Sequence, residues 1–462
     1  MEQPRDRWSS RMGFVLAAAG SAIGLGNLWK FPFITWSNNG GAFVLVYLLC
    51  VIAVGLPIMM AEILIGRRTQ KSPVGALREA VGPAWSVVGG LGVFAGFVIL
   101  SYYTVVAGWT LRYFVVCVGW SLRGFPEGLN VGEGFGVFAA NGPMQLVLSG
   151  LFMLVTVFVV SFGIGNGIER VARLLMPILF GILVLLLLSA LTMEGAGEAL
   201  SFIFAPRFGE LTVEGVLEAL GHAFFTLSLG MGAMITYGSY LGHRTSVPSN
   251  SLTVVALDTL IALFATIIMF SVIFSVPGMT DQVGDSTVGM LFISLPELFY
   301  TVVPLGSLLA PLFYVLVGFA ALTSTVSLLE VVGSFFIDEL GMSRRSATIS
   351  CGIAIFIVCA LCGLSFGASD LLSNFVVFAG KPGLFVTLDH LAANWLLPIG
   401  GFFITLAAGW FITREVTHAE LAEQMAPAWF HYGVWRFFIR YVAPIAVAII
   451  IIAVIFFGKD FS

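Results

Sequence analysis

With 59% hydrophobic and only 10% charged residues over 462 positions, the chain falls far below the roughly 25% charge of soluble domains, which excludes a water-soluble globular fold. The net charge of -4 says less than where the charges stand. The five cysteines, Cys50, Cys117, Cys351, Cys359 and Cys362, all fall within apolar runs, as small core residues rather than disulfide partners or metal ligands.

A crossing needs about 18 or more mostly apolar residues. Eleven runs qualify, near 12–37, 41–66, 87–119, 145–163, 168–192, 214–240, 251–277, 304–337, 346–367, 383–412 and 434–457. They predict an all-α polytopic membrane protein. In the first run, Gly20-Ser21-Ala22-Ile23-Gly24-Leu25-Gly26-Asn27 carries three glycines, each costing a helix about 1 kcal/mol relative to Ala. A helix opened inside hydrocarbon must have its backbone groups satisfied by protein, water or ligand. The sixth run holds a counterpart, Thr226-Leu227-Ser228-Leu229-Gly230-Met231-Gly232-Ala233. Two interrupted spans at corresponding places in two halves point to the binding site of a secondary transporter.

Other features follow in order. The second run ends in Glu62 and Gly66-Arg67-Arg68, followed by a polar loop suited to a short surface helix. Tyr102 and Tyr103 stand mid-span in the third run, and the 121–144 connection is a glycine-rich loop with Pro126 and Pro143. Gly167 and Pro177 bracket one end of the fifth run, a turn able to open. In the eighth, Ala320, Thr323, Ser324 and Leu328 share one helical face, and the run exits at Asp338-Glu339.

Basic residues set the orientation. With the N-terminus in the cytoplasm, only Lys30, Arg112, Arg123, Arg207, Lys381 and Lys459 of the 21 fall outside. Eleven crossings then put the C-terminus outside. The first run is too long and glycine-interrupted for a cleavable signal peptide.

Arg5 to Phe43, with Gly24-Leu25-Gly26-Asn27, the pair Phe31-Pro32 and Asn39-Gly40-Gly41-Ala42-Phe43, resembles the opening of the neurotransmitter:sodium symporter family in its bacterial, eleven-helix form. Phe224-Phe225-Thr226-Leu227-Ser228-Leu229-Gly230 resembles its sixth helix. The resemblance implies one transporter domain over 1–462, with inverted repeats near 12–192 and 214–412, discontinuous helices 1 and 6, and an extra helix near 434–457. It implies sodium-coupled symport by alternating access across the bacterial inner membrane.

The centre can also be read from physical chemistry. The second half of the first span begins with a helix N-terminus at mid-depth, which favours an anion. The N–H groups of Leu25 and Gly26, with the Tyr103 hydroxyl, would hold a carboxylate. Carbonyls of Ala22, Phe225, Thr226 and Ser228 would hold a cation or an ammonium, and a carboxylate beside an ammonium describes an amino acid. Tyr103 alone is equally a packing tyrosine. Ser21, Ile99, Met231, Ser324 and Leu328 complete a mostly apolar lining with no charged side chain for a charged substrate. Animal monoamine relatives carry Asp where this chain has Ala19-Gly20-Ser21, so the expected substrate is a neutral, hydrophobic L-amino acid, aromatic ones included.

By resemblance, one sodium site would use Ala22, Asn27, Thr226, Asp258 and the substrate carboxylate. The other would use Gly20, Ile23, Ala320, Thr323 and Ser324. The bland alternative for such hydroxyls is a bond to their own helix. Asp258 replaces the Asn of many relatives, and with Tyr47 and Thr226 close by it implies transport without chloride. His222, where the family usually has Gln, is either a structural residue or a proton carrier. Lys30 with Asp389 would gate the outer path and Arg5 with Asp338 the inner, with Phe225, Trp8 and Tyr240 as further gate residues; the alternative for Arg5 is an unpartnered surface charge. Lys30 lacks the bidentate fork of the arginine many relatives carry.

Neither an organic cofactor nor a nucleic-acid partner is expected, and no motif for an intramembrane enzyme or a channel filter is present. A membrane amino-acid receptor that keeps the pocket without net transport remains the rival reading. The oligomeric state is left open.

Overall fold

The computed structural model describes residues 6–243, 245–276, 289–421 and 431–461. Among them every regular element is helical. The membrane explains this, because a helix satisfies its own backbone where no water is available. Among the described residues, nine continuous helices are long and apolar enough to cross: α2 (Gly41–Thr69), α3 (Pro83–Arg123), α4 (Gly142–Ser161), α5 (Ile164–Ala190), α7 (Val247–Phe274), α8 (Gly306–Leu340), α9 (Arg344–Leu364), α10 (Leu384–Phe411) and α11 (Tyr432–Phe457). Ahead of them, α1 is a pair, Arg11–Ala22 and Gly26–Ser37, bent by 54°. The sixth span, α6, also comes in two pieces, Val213–Thr226 and Ala233–Gly238, each too short to cross alone. Bounds agree with the apolar runs to within a few residues, and the polar loop after α2 does form a short helix, Pro73–Ala80.

The two broken spans lie at the centre. The first half of α1 packs on α7 and α8, and the second half of α6 on α2. The long helices α3 and α8 share the most extensive interface, forming a wall beside the breaks. Ser10 starts α1 by accepting from the Gly13 N–H at 2.9 Å, a conventional N-cap. Around the outside, α11 shows Ile445, Ile452 and Phe456 to its surroundings, an apolar belt suited to lipid and not to water. The Gly167 to Pro177 stretch is helical throughout, within α5.

Candidate functional site at the two helix breaks

The α1 helix ends with the Ile23 N–H on the Ala19 carbonyl at 2.7 Å, and Ile23 itself is extended. The next two N–H groups turn to side chains. Gly24 donates to Asn27 Oδ1 at 3.0 Å, and Leu25 donates to the Tyr103 hydroxyl at 3.1 Å. A side chain at Gly24 would stand 2.9 Å from Ser324 Oγ and 3.0 Å from that hydroxyl, which is why the break needs a glycine.

In α6 the break runs through backbone conformations that L side chains avoid: Ser228 at φ 54°, Gly230 at 85° and Gly232 at 77°. Gly230 also presses on α10, where an added Cβ would meet the Leu397 carbonyl at 2.4 Å. Its N–H donates to Glu62 Oε1 at 2.8 Å, so a fully buried carboxylate from α2 caps the opened chain. Sequence reasoning noted Glu62 but gave it no role, although an ionisable residue inside a span is functional by default.

One clip joins the breaks directly. The Ser228 hydroxyl donates to the Ser21 carbonyl at 2.9 Å, and Ser21 Oγ reaches Ser327 Oγ on α8 at 2.8 Å. Between the breaks lies a cavity of about 50 Å³. Ser21, Ala22, Leu25, Gly26, Ile99, Tyr103, Phe225, Thr226, Ser228, Met231, Ser324 and Leu328 line it, together with Gly24, Asn27, Ser327 and Leu397. Ser327 and Leu397 were missed by sequence reasoning because only the packing of α8 and α10 turns them inward.

Two oxygen clusters flank the cavity. Asn27 Nδ2 donates to Asp258 Oδ1 at 2.8 Å and to Thr226 Oγ1 at 3.0 Å, while the Thr226 hydroxyl donates to Asp258 Oδ2 at 3.2 Å. Ala22 borders this group from the cavity side, and Asp258 is fully buried. On α8, Thr323 Oγ1 donates to the Ala320 carbonyl at 3.0 Å. Ser324 Oγ contacts the carbonyls of Ala320 at 3.1 Å and Gly20 at 3.5 Å, bridging α8 to the broken α1. Ile23 and Ala320 are fully buried in the same region. Both clusters are sets of hard oxygen donors suited to a small hard cation. Beside the first, His222 stacks on Phe31 at 5.4 Å and lies 5.6 Å from the Tyr47 ring; neither of its ring nitrogens has a hydrogen-bond partner among the described residues.

Contacts join the surrounding elements on two faces of the cavity. On one, Trp8 Nε1 donates to the Tyr237 carbonyl at 2.9 Å and the Trp8 N–H to that of Tyr240 at 3.2 Å. The Tyr240 hydroxyl donates to fully buried Glu330 at 2.5 Å, which pairs with Arg344 at 2.8 Å, and Arg344 with Asp6 at 3.1 Å. Asp338 accepts from the Ser72 N–H at 2.6 Å, while Arg5 lies outside the described residues. On the other face, Lys30 sits 5.0 Å over the Phe225 ring. It lies within electrostatic reach of Asp389 but forms no ion pair with it; its amine donates instead to the Phe461 carbonyl at 2.7 Å. Glu330, Arg344 and Phe461 carry no local sequence signal for these contacts, since nothing near them marks their partners.

Comparison with known proteins gives one consistent result. The sequence profile of the Sodium:neurotransmitter symporter family matches residues 5–123 and 132–460. The "Uncharacterized sodium-dependent transporter YhdH" of Bacillus subtilis is 38% identical over 460 residues, covering 98% of each chain. A sodium-dependent transporter of Methanocaldococcus jannaschii is 30% identical over 98% of this chain and 90% of its own. The crystal structure of MhsT in complex with L-phenylalanine superposes with a TM-score of 0.87 at 40% identity, covering 97% of this chain and 99% of that one.

Proposed function

Because the chain belongs to the sodium:neurotransmitter symporter family, and is therefore a sodium-dependent membrane transporter and not an enzyme, we propose that its cargo is a neutral, hydrophobic L-amino acid, aromatic ones included. The carrying observation is the cavity between the two helix breaks, where backbone polar groups face a wall of Ile99, Phe225, Met231 and Leu328 with no charged side chain for a third ionic group. The phenylalanine bound by MhsT supports this class. The carboxylate would meet the Gly26 N–H and the Tyr103 hydroxyl, with the Leu25 N–H beside them. Carbonyls of the broken α6 would meet the ammonium.

This reading has two sodium sites, one at Ala22, Asn27, Thr226 and Asp258, the other at Gly20, Ile23, Ala320, Thr323 and Ser324. The Asp258 carboxylate supplies the negative charge that chloride would otherwise bring, so transport proceeds without that anion. No organic cofactor takes part. Access alternates as one helix group rocks against a scaffold within the inverted repeats near 12–192 and 214–412. The Trp8 face is cytoplasmic and the Lys30 face external across a bacterial inner membrane, as the distribution of Lys and Arg indicates. Because ion and substrate share a site, each should tighten the binding of the other.

The test is uptake by purified protein in liposomes under an inward sodium gradient, with chloride replaced by gluconate. Accumulation against a gradient of at least one of Leu, Ile, Val, Met, Phe, Tyr and Trp is expected; uptake of none ends this reading. Asp258→Asn should abolish chloride-free uptake, and undiminished uptake would remove the carboxylate from its role as substitute anion.

A further inference from the structure

Beyond α11, the residues that follow the last helix turn back over the Lys30 face. Helix α11 stops where Gly458 adopts φ 57°, a left-handed cap, and the Lys459 N–H returns to the Ala453 carbonyl at 3.2 Å. The next three residues together hold α1, α6 and α10. Lys459 Nζ pairs with Glu214 at the start of α6 at 2.8 Å. The Asp460 carboxylate pairs with Lys381, accepts from Asn394 Nδ2 at 2.8 Å and lies 3.2 Å from His390 Nδ1, all on α10 or the loop before it. Phe461 donates its N–H to Asn394 Oδ1 at 2.8 Å and offers its carbonyl to Lys30 on α1 at 2.7 Å. Its ring lies against Gly221 of α6, where an added Cβ would meet the ring at 3.0 Å.

These contacts tie α10 to the halves of α1 and α6 that line the site. We propose that residues 459–461 form a strap that locks the transport path on the Lys30 face, and that must lift before substrate enters. Lys30 is held by this strap rather than by Asp389, so the strap does the work that an ion pair across the vestibule would do. Opening this face separates α10 from α1 and α6, which the contacts of Asp460 and Phe461 oppose. The proposal rests on the transport reading above for what the path carries.

A cross-link tests it. A Cβ built on Gly221 stands 3.6 Å from that of Phe461, within the range a disulfide spans. The double variant Gly221→Cys with Phe461→Cys, oxidised by copper phenanthroline in liposomes, should cross-link in high yield by mass spectrometry. Sodium-driven uptake should then fall at least tenfold and return on reduction, while each single variant is unaffected by oxidant. Failure of the pair to cross-link would overturn the seating of the strap, and full uptake by cross-linked protein would overturn its lifting. Phe461→Cys alone adds a second measurement: maleimide labelling at least threefold slower in sodium plus phenylalanine than in sodium alone is expected, and equal rates would overturn the strap. Cross-linking is read without transport, and labelling is scored only on protein that accumulates phenylalanine, so unmodified protein that moves no amino acid sinks the transport reading and not the strap.

Discussion

The two faces of the cavity are built differently. On the Trp8 face, half-buried Trp8 is anchored by two hydrogen bonds, its indole N–H to the Tyr237 carbonyl and its backbone N–H to that of Tyr240, and behind it runs a charge-assisted chain, Tyr240 to Glu330 to Arg344 to Asp6. Ser9 adds a hydroxyl and an N–H, each 2.7 Å from nearly buried Glu169. On the Lys30 face, the contacts are one amine over a phenyl ring and three residues of a strap whose charges are partly solvated. Solvated pairs contribute little, typically under about 1 kcal/mol each, whereas a buried charge deprived of its partner costs several. The difference teaches that the Lys30 face is held by the weaker contacts, solvated pairs and one cation over a ring, and the Trp8 face by buried charge.

This contrast can be broken in stages. The largest effect should come from Glu330→Ala, which takes the buried carboxylate partner from the Tyr240 hydroxyl and from Arg344; a loss of about 3 kcal/mol is expected. It would be read as a lowered thermal midpoint in detergent and faster hydrogen exchange in the peptide holding Trp8. Tyr240→Phe removes one hydrogen bond to a buried carboxylate and should cost about 1.5 to 2 kcal/mol, with exchange at Trp8 again the readout. Lys30→Ala should be mildest, about 1 kcal/mol, because it removes one cation over a ring and one bond to the strap. Exchange should then quicken at residues 459–461 and stay unchanged at Trp8. Equal losses from Glu330→Ala and Lys30→Ala would erase the asymmetry.

Much of the architecture was legible before any coordinates. Long apolar runs bound the spans because hydrocarbon tolerates little else, and clustered glycines at 20, 24, 26, 230 and 232 marked both places where the helices open. The twelve lining residues named from the sequence do border one cavity, since resemblance in register carries the facing of α1, α3, α6 and α8 with it. The pair expected at the inner gate was less accessible: Asp338 meets the Ser72 N–H, and its expected partner Arg5 lies outside the described residues. At the other gate, Lys30 and Asp389 are neighbours in charge but not in contact, because Phe461 takes the amine first.

By itself, then, the sequence determined the membrane class, the span boundaries and the two breaks. These depend on local hydropathy and backbone preference, and each is written within a few dozen residues. Only the tertiary structure decided which groups satisfy the opened backbone and what holds each face together: Glu62 on Gly230, Ser228 on Ser21, Arg344 on Glu330, Phe461 on Lys30. Most of these join helices far apart along the chain. A buried carboxylate or hydroxyl must find a partner, but local pattern does not say which one, and packing makes that choice.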